Sequence, residues 1–135
     1  MPRFGRTSTA RLKTCHKDIQ RVLKEAIKVV DFSVLEGHRG RELQNLYYSQ
    51  GKSKLRFPKS KHNKTPSRAV DIVPYPIDWN DSKRFILLAG IVLGIAHKMG
   101  VGIRWGGDWN RDFKFNESFF DAPHFELWRP RSRRK

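Results

Sequence analysis

Cysteine is nearly absent from this chain: Cys15 stands alone among 135 residues. No internal disulfide can form, and a zinc module built from several thiolates is excluded. The single thiol reads as a small apolar residue on a buried helix face. Acidic side chains are also scarce, 13 against 28 Lys and Arg, and the formal net charge is +15. Such an excess implies an anionic partner: nucleic acid, a membrane surface or an acidic cell-wall polymer. Long hydrophobic runs are missing as well. The longest, FILLAGIVLGIA at 85–96, falls short of the ~20 residues of a membrane-spanning helix and suits a core helix. The opening MPRFGRTSTARLK has no apolar segment of the secretory kind. The expectation is therefore synthesis in the cytoplasm without a signal peptide, with another agent needed for release.

What is present fits one folded domain. Hydrophobic residues make up 38%, too many for a disordered polymer, and the length suits one self-sufficient core. STARLKTCHKDIQRVLKEAIKVV places Leu12, Cys15, Ile19, Val22, Ala26 and Val30 at helical spacing, which predicts one amphipathic helix capped by Ser8 or Thr9. A short strand with Phe32 and Val34 follows, then a helix over RELQNLYYSQ ending at Gly51. Residues 52–67 read as a long loop and RAVDIVPY as a strand. Asn80 or Asp81 caps an apolar helix that Gly100 ends. VGIRW and HFELW are strands flanking a second long loop. The order predicts an α+β single domain with a small, mostly antiparallel sheet and about three helices. Two long loops in so small a domain point to function.

The strand RAVDIVPY holds a carboxylate among apolar residues, costly unless something pairs with it. Alternation puts Ala69, Asp71 and Val73 on one face and Val70 and Ile72 on the other. In HFELW, His124 and Glu126 share a face. If these strands are neighbours and the 60–67 loop closes over them, His62, Asp71 and His124 converge. Two imidazoles and a carboxylate suit a catalytic divalent metal such as zinc, with a further position for water.

SKHNKTPSRAVDIVPY together with DAPHFEL resembles the zinc peptidases that cut D-Ala-D-Ala or L-Ala-D-Glu bonds in peptidoglycan, phage endolysins among them. Their pattern of S-x-H, a loop, A-x-D and an acidic residue three before a second histidine falls on Ser60, His62, Ala69, Asp71, Asp121 and His124. EGHRGRELQ resembles the segment bearing an active-site arginine, here Arg39, and RWGGDWN the segment before the last strand in phage members. The NKTPS loop is longer than in many members, with Ser67 near the place of a glycine. The expected catalytic domain is 1–128, and RPRSRRK reads as a basic tail at 129–135. The resemblance covers about residues 30–128 and implies a zinc metallopeptidase. It also implies His62, Asp71 and His124 as metal ligands, Asp121 as general base and Arg39 as oxyanion stabiliser. The expected activity is endolysin cleavage of the stem peptide at L-alanyl-D-glutamate, reached through a holin-made membrane lesion. Peptidoglycan and anionic envelope polymers are the expected partners of a monomer, with no specific nucleic acid.

Other readings stay open beside it. Within the same chemistry, a D-Ala-D-Ala carboxypeptidase would need a cation for the terminal carboxylate. From another class, a basic nucleic-acid-binding protein would explain the charge, but no helix-turn-helix, zinc-finger or RNP-like pattern accompanies it. Asp108, Asn110 and Asp112 alternate like the first ligands of a calcium loop. Phe119 at the twelfth position excludes an EF-hand and leaves only a looser Ca2+ site. Glu126 is either a partner orienting a ligand or an exposed carboxylate. His16 and His97 read as structural, His38 as an exposed turn residue, and Trp79, Trp105, Trp109 and Trp128 as core or loop anchors.

Overall fold

The computed structural model describes residues 2–114 and 116–129. Helices α1 (Arg6–Leu12) and α2 (Lys17–Ala26) precede strand β1 (Phe32–Glu36), and α3 (Arg41–Ser49) follows it. A 3₁₀ turn (Lys61–Asn63) leads into β2 (Ala69–Pro74), then α4 (Ser82–Lys98), β3 (Ile103–Trp105) and β4 (His124–Leu127). The four strands form one antiparallel sheet in the order β1-β2-β4-β3. The expected α+β domain is observed, and Asp81 is the residue that caps α4.

The predicted first helix is two. Between α1 and α2 the backbone turns aside to meet Ser67: His16 N donates to Ser67 O at 2.7 Å and Ser67 N to Thr14 O at 2.8 Å. His16 then caps α2, its Nδ1 accepting from Asp18 N at 3.0 Å. Apolar spacing could not reveal the break, because Leu12, Cys15, Ile19 and Val22 are buried on both sides of it. Nor do Ser8 and Thr9 cap the start, which falls at Gly5 without a side-chain cap. Ser8 Oγ instead accepts from Val34 N at 3.0 Å, and Arg11 Nη1 donates to Val34 O at 3.1 Å. These contacts satisfy the open side of edge strand β1.

Alternation gives the sheet two unlike faces. Val34, Val70, Ile72, Phe125 and Leu127 pack with Ile19, Val22 and Leu23 of α2 and Leu88, Ala89 and Val92 of α4. Each Val, Leu, Ile or Phe among them contributes about 1.5–3 kcal/mol on full burial. The opposite face carries Asp71, His124, Glu126 and Arg104. Register aligns them, since Asp71 faces His124 and Glu126 faces both Ala69 and Arg104. Among the described residues no helix is long and apolar enough to cross a membrane.

Candidate metal centre

His62 is fixed from both sides. Ser60 and Asn63 form a capping box around it: Ser60 Oγ accepts from His62 N at 3.2 Å, and Asn63 Oδ1 from Ser60 N at 3.1 Å. His62 O accepts from Arg39 N at 2.8 Å. The ring is 1% exposed and points at the aligned pair on β2 and β4. His62 Nε2 lies 3.2 Å from His124 Nδ1 and 3.3 Å from Asp71 Oδ1, and His124 Nδ1 lies 3.2 Å from the same oxygen. The three side chains singled out in the sequence are therefore one group able to hold a metal ion.

The outer ring nitrogens decide the tautomers. His62 Nδ1 is 2.7 Å from Gly37 O, and His124 Nε2 is 2.9 Å from Glu126 Oε1. Both partners only accept, so in a neutral ring the outer nitrogen carries the hydrogen and the inner one presents a lone pair. Two lone pairs and a carboxylate oxygen then face one point, and positive charge is needed there. Without a cation, a proton meets the same demand. Burial opposes ionisation of Asp71, but hydrogen bonds from His124 and His62 overcome it and hold the carboxyl well below the usual range. Burial likewise lowers the His124 pKa, but Asp71 and Glu126 push it up to about 9, so the ring holds a second proton at neutral pH. A divalent cation would take that proton's place, and the donor set suits zinc.

Glu126 takes its place as a partner of His124. It is 7% exposed, and its second oxygen is held by Arg104 Nη2 at 2.7 Å and Lys61 Nζ at 3.3 Å. Asp121 lies beside the group, its backbone bonded to Gly106 O and to His124 N. A side chain at Gly106 would come within 2.3 Å of Asp121 O, so glycine permits this approach. Burial, aided by the charge of Asp71, raises the Asp121 pKa against the pull of His124, His62 and Arg39. Among the described residues its carboxylate accepts no hydrogen bond, which suits a proton acceptor.

Arg39 is buried and heavily engaged. Nε and Nη2 donate to Glu36 Oε1 at 2.9 and 2.5 Å, Nη1 to Gln44 Oε1 at 2.9 Å, and Nη2 also to Asp71 Oδ2 at 3.4 Å. One N–H of five remains. Glu36 and Gln44 were missed in the sequence: Glu36 only hints at its role by standing three before Arg39, and nothing marks Gln44. The departure at Ser67 is absorbed, for its hydroxyl bonds Ala69 O at 2.7 Å and Gly37 O at 3.2 Å. Around the group opens a cleft of about 970 Å³. Trp79 and Trp109 line it, whereas His38 and His97 are exposed elsewhere.

The second long loop folds around its own acidic residues. Asp108, Asp112 and Glu117 bring carboxylate oxygens within 4.8 Å of one another. Asn110 Oδ1 accepts from Asp112 N at 3.2 Å. Glu117 was not among the residues expected there.

The family model described as phage L-alanyl-D-glutamate peptidase matches residues 1–128. The L-alanyl-D-glutamate peptidase of Escherichia phage T5 is 31% identical, over 93% of this chain and 97% of that protein. The crystal structure of the L-Ala D-Glu endopeptidase ChiX of Serratia marcescens superposes with a TM-score of 0.75 at 28% identity, covering 94% of this chain and 91% of that one.

Proposed function

Because the chain belongs to the phage L-alanyl-D-glutamate peptidase family, we propose that it cleaves the L-alanyl-D-glutamate bond of peptidoglycan at a zinc site made by His62, Asp71 and His124. The observation that carries the metal reading is the pair of acceptors, Gly37 O and Glu126 Oε1, at the outer ring nitrogens, which leaves two inner nitrogens turned to one carboxylate oxygen. Peptidoglycan hydrolysis follows from the family.

His62, Asp71 and His124 would hold the zinc, which would supply Lewis acidity at the site. Asp121 takes the proton of the attacking water and passes it to the leaving amine. Its raised pKa suits a group that must both accept and return a proton. Arg39 holds the outer oxygen of Asp71, and its buried charge stabilises negative charge on the carbonyl oxygen as the carbon becomes tetrahedral. Glu126 keeps the His124 ring in the ligating tautomer. The acidic group of Asp108, Asp112 and Glu117, with Asn110 beside it, is proposed to take calcium. If Asp108→Ala leaves an effect of calcium on activity or stability intact, that part fails.

The deciding experiment treats defined peptidoglycan with the purified protein, before and after chelation and zinc restoration, and reads the products by mass spectrometry. Cleavage between L-Ala and D-Glu that chelation stops and zinc restores is expected. Release of free D-Ala would move the protein to the carboxypeptidases, and no metal-dependent product would sink the enzyme reading. Action after release into the cell wall, as a monomer, is part of the same proposal.

A further inference from the structure

The charges of the cleft are unevenly used. Glu36 is paired with Arg39, and Glu126 with Arg104 and Lys61. Glu117 is turned onto Asn110 N, and Asp71 and Asp121 belong to the proposed chemistry. Three exposed cations line the same cleft from the 52–60 segment: Lys52, Lys54 and Lys59. Among the described residues none of the three is in an ion pair.

This wall is built into the fold. Gln44 is fully buried, and its Nε2 donates to Ser53 Oγ at 2.9 Å and Leu55 O at 2.6 Å, while its Oε1 receives Arg39. Asn45 Oδ1 accepts from Phe57 N at 3.0 Å. Aromatic faces lie under two of the cations: Lys52 Nζ is 5.6 Å from the Tyr47 ring centre and Lys54 Nζ 5.1 Å from that of Phe119. The segment that presents the lysines is thus held by the same side chain that holds Arg39 behind Asp71.

We infer that Lys52, Lys54 and Lys59 read the free carboxylate of the D-glutamate that leaves on cleavage. The inference rests on the proposed function. Glutamate is a diacid, so whichever carboxyl continues the chain, the other stays free close to the scissile nitrogen. An enzyme for this bond must seat that anion near its metal. The cations held by Glu36 and Glu126 are committed elsewhere, and these three are available.

Two soluble stem peptides test it, one with the free carboxylate and one with that carboxylate amidated. Wild type is expected to prefer the carboxylate peptide by about tenfold in kcat/KM. The triple variant Lys52→Met, Lys54→Met, Lys59→Met should bring the preference to within about twofold of unity, chiefly through a higher KM for the carboxylate peptide. The corresponding triple Lys→Arg variant should retain the preference, which separates lost charge from a disturbed loop. An equal preference in wild type and the Met variant, or no preference in wild type, overturns the inference. If zinc-loaded wild type cuts neither peptide, the L-alanyl-D-glutamate reading itself falls and this inference with it.

Discussion

Asp121, Glu126 and Cys15 are three residues whose surroundings set different jobs. Asp121→Asn should keep zinc, measured by metal content after dialysis, and lose about 100- to 10,000-fold in kcat, the usual worth of a positioned base. Loss of zinc as well would make Asp121 a ligand. Glu126→Gln removes the charge that fixes His124 Nε2–H and should weaken zinc about 10- to 100-fold in a competition titration. Cys15 is 2% exposed, and burial pushes its thiol pKa up from 9.0 to about 11. Between those values the unfolded chain loses the proton and the folded chain keeps it, so this group's contribution to stability falls as pH rises. Cys15→Ala lacks that slope. Its deficit in unfolding free energy should therefore shrink between about pH 8 and about pH 10.5 in denaturant titrations. Of the proposed ligands, Asp71 and His124 were legible because period two names the face of a polar residue in an apolar strand, whereas His62, on a 3₁₀ turn, was marked by the family pattern S-x-H. The lysine wall was not, because a loop brings its residues to a site by contacts with no period in the chain, and Gln44 was not, because a single polar residue in the short helix α3 carries no mark of the contacts it makes.

At the scale of elements, the junction of α1, α2 and β1 sits directly behind the metal group. Gly37 is packed where a Cβ would stand 2.2 Å from Thr14 Oγ1 and 2.8 Å from Arg11 O, and its carbonyl receives His62 Nδ1. Gly37→Ala should cost about 1–3 kcal/mol through overpacking and weaken zinc in the same variant, seen by thermal unfolding with and without metal. A loss of stability with zinc affinity intact would mean that His62 is held without this carbonyl. The elements themselves were mostly legible: the four strands, α3 and α4 fall where pattern and turn residues put them. The broken first helix was hidden because its apolar stripe runs through the break, while the backbone bonds that make the break come from Ser67, far along the chain. The polar network behind Asp71 was hidden for a related reason, since Glu36, Arg39 and Gln44 lie on a strand end, a turn and a helix that only tertiary packing joins.

For the whole molecule the dominant fact is charge. With +15 on 135 residues, contact with an anionic wall should weaken as salt shortens the reach of each charge to about 8 Å at physiological strength. Lysis of intact envelopes is expected to fall steeply between low and high salt, while cleavage of a short soluble peptide changes less. Equal loss in both assays would place the salt effect at the active site. Shortening the chain by residues 129–135 should likewise lower envelope lysis and spare peptide cleavage; of that tail, residues 130–135 lie outside the described residues.

The sheet order has a consequence for when the molecule can act. β4 is the last of the four strands in the chain, yet it lies between β2 and β3 and brings His124, while Asp121 stands just ahead of it. With the proposed roles of His124 and Asp121, a chain that stops short of β4 holds His62, Asp71 and both neighbouring strands but lacks a ligand and the base. Hydrolytic competence then arrives in one step, when β4 slots into the gap.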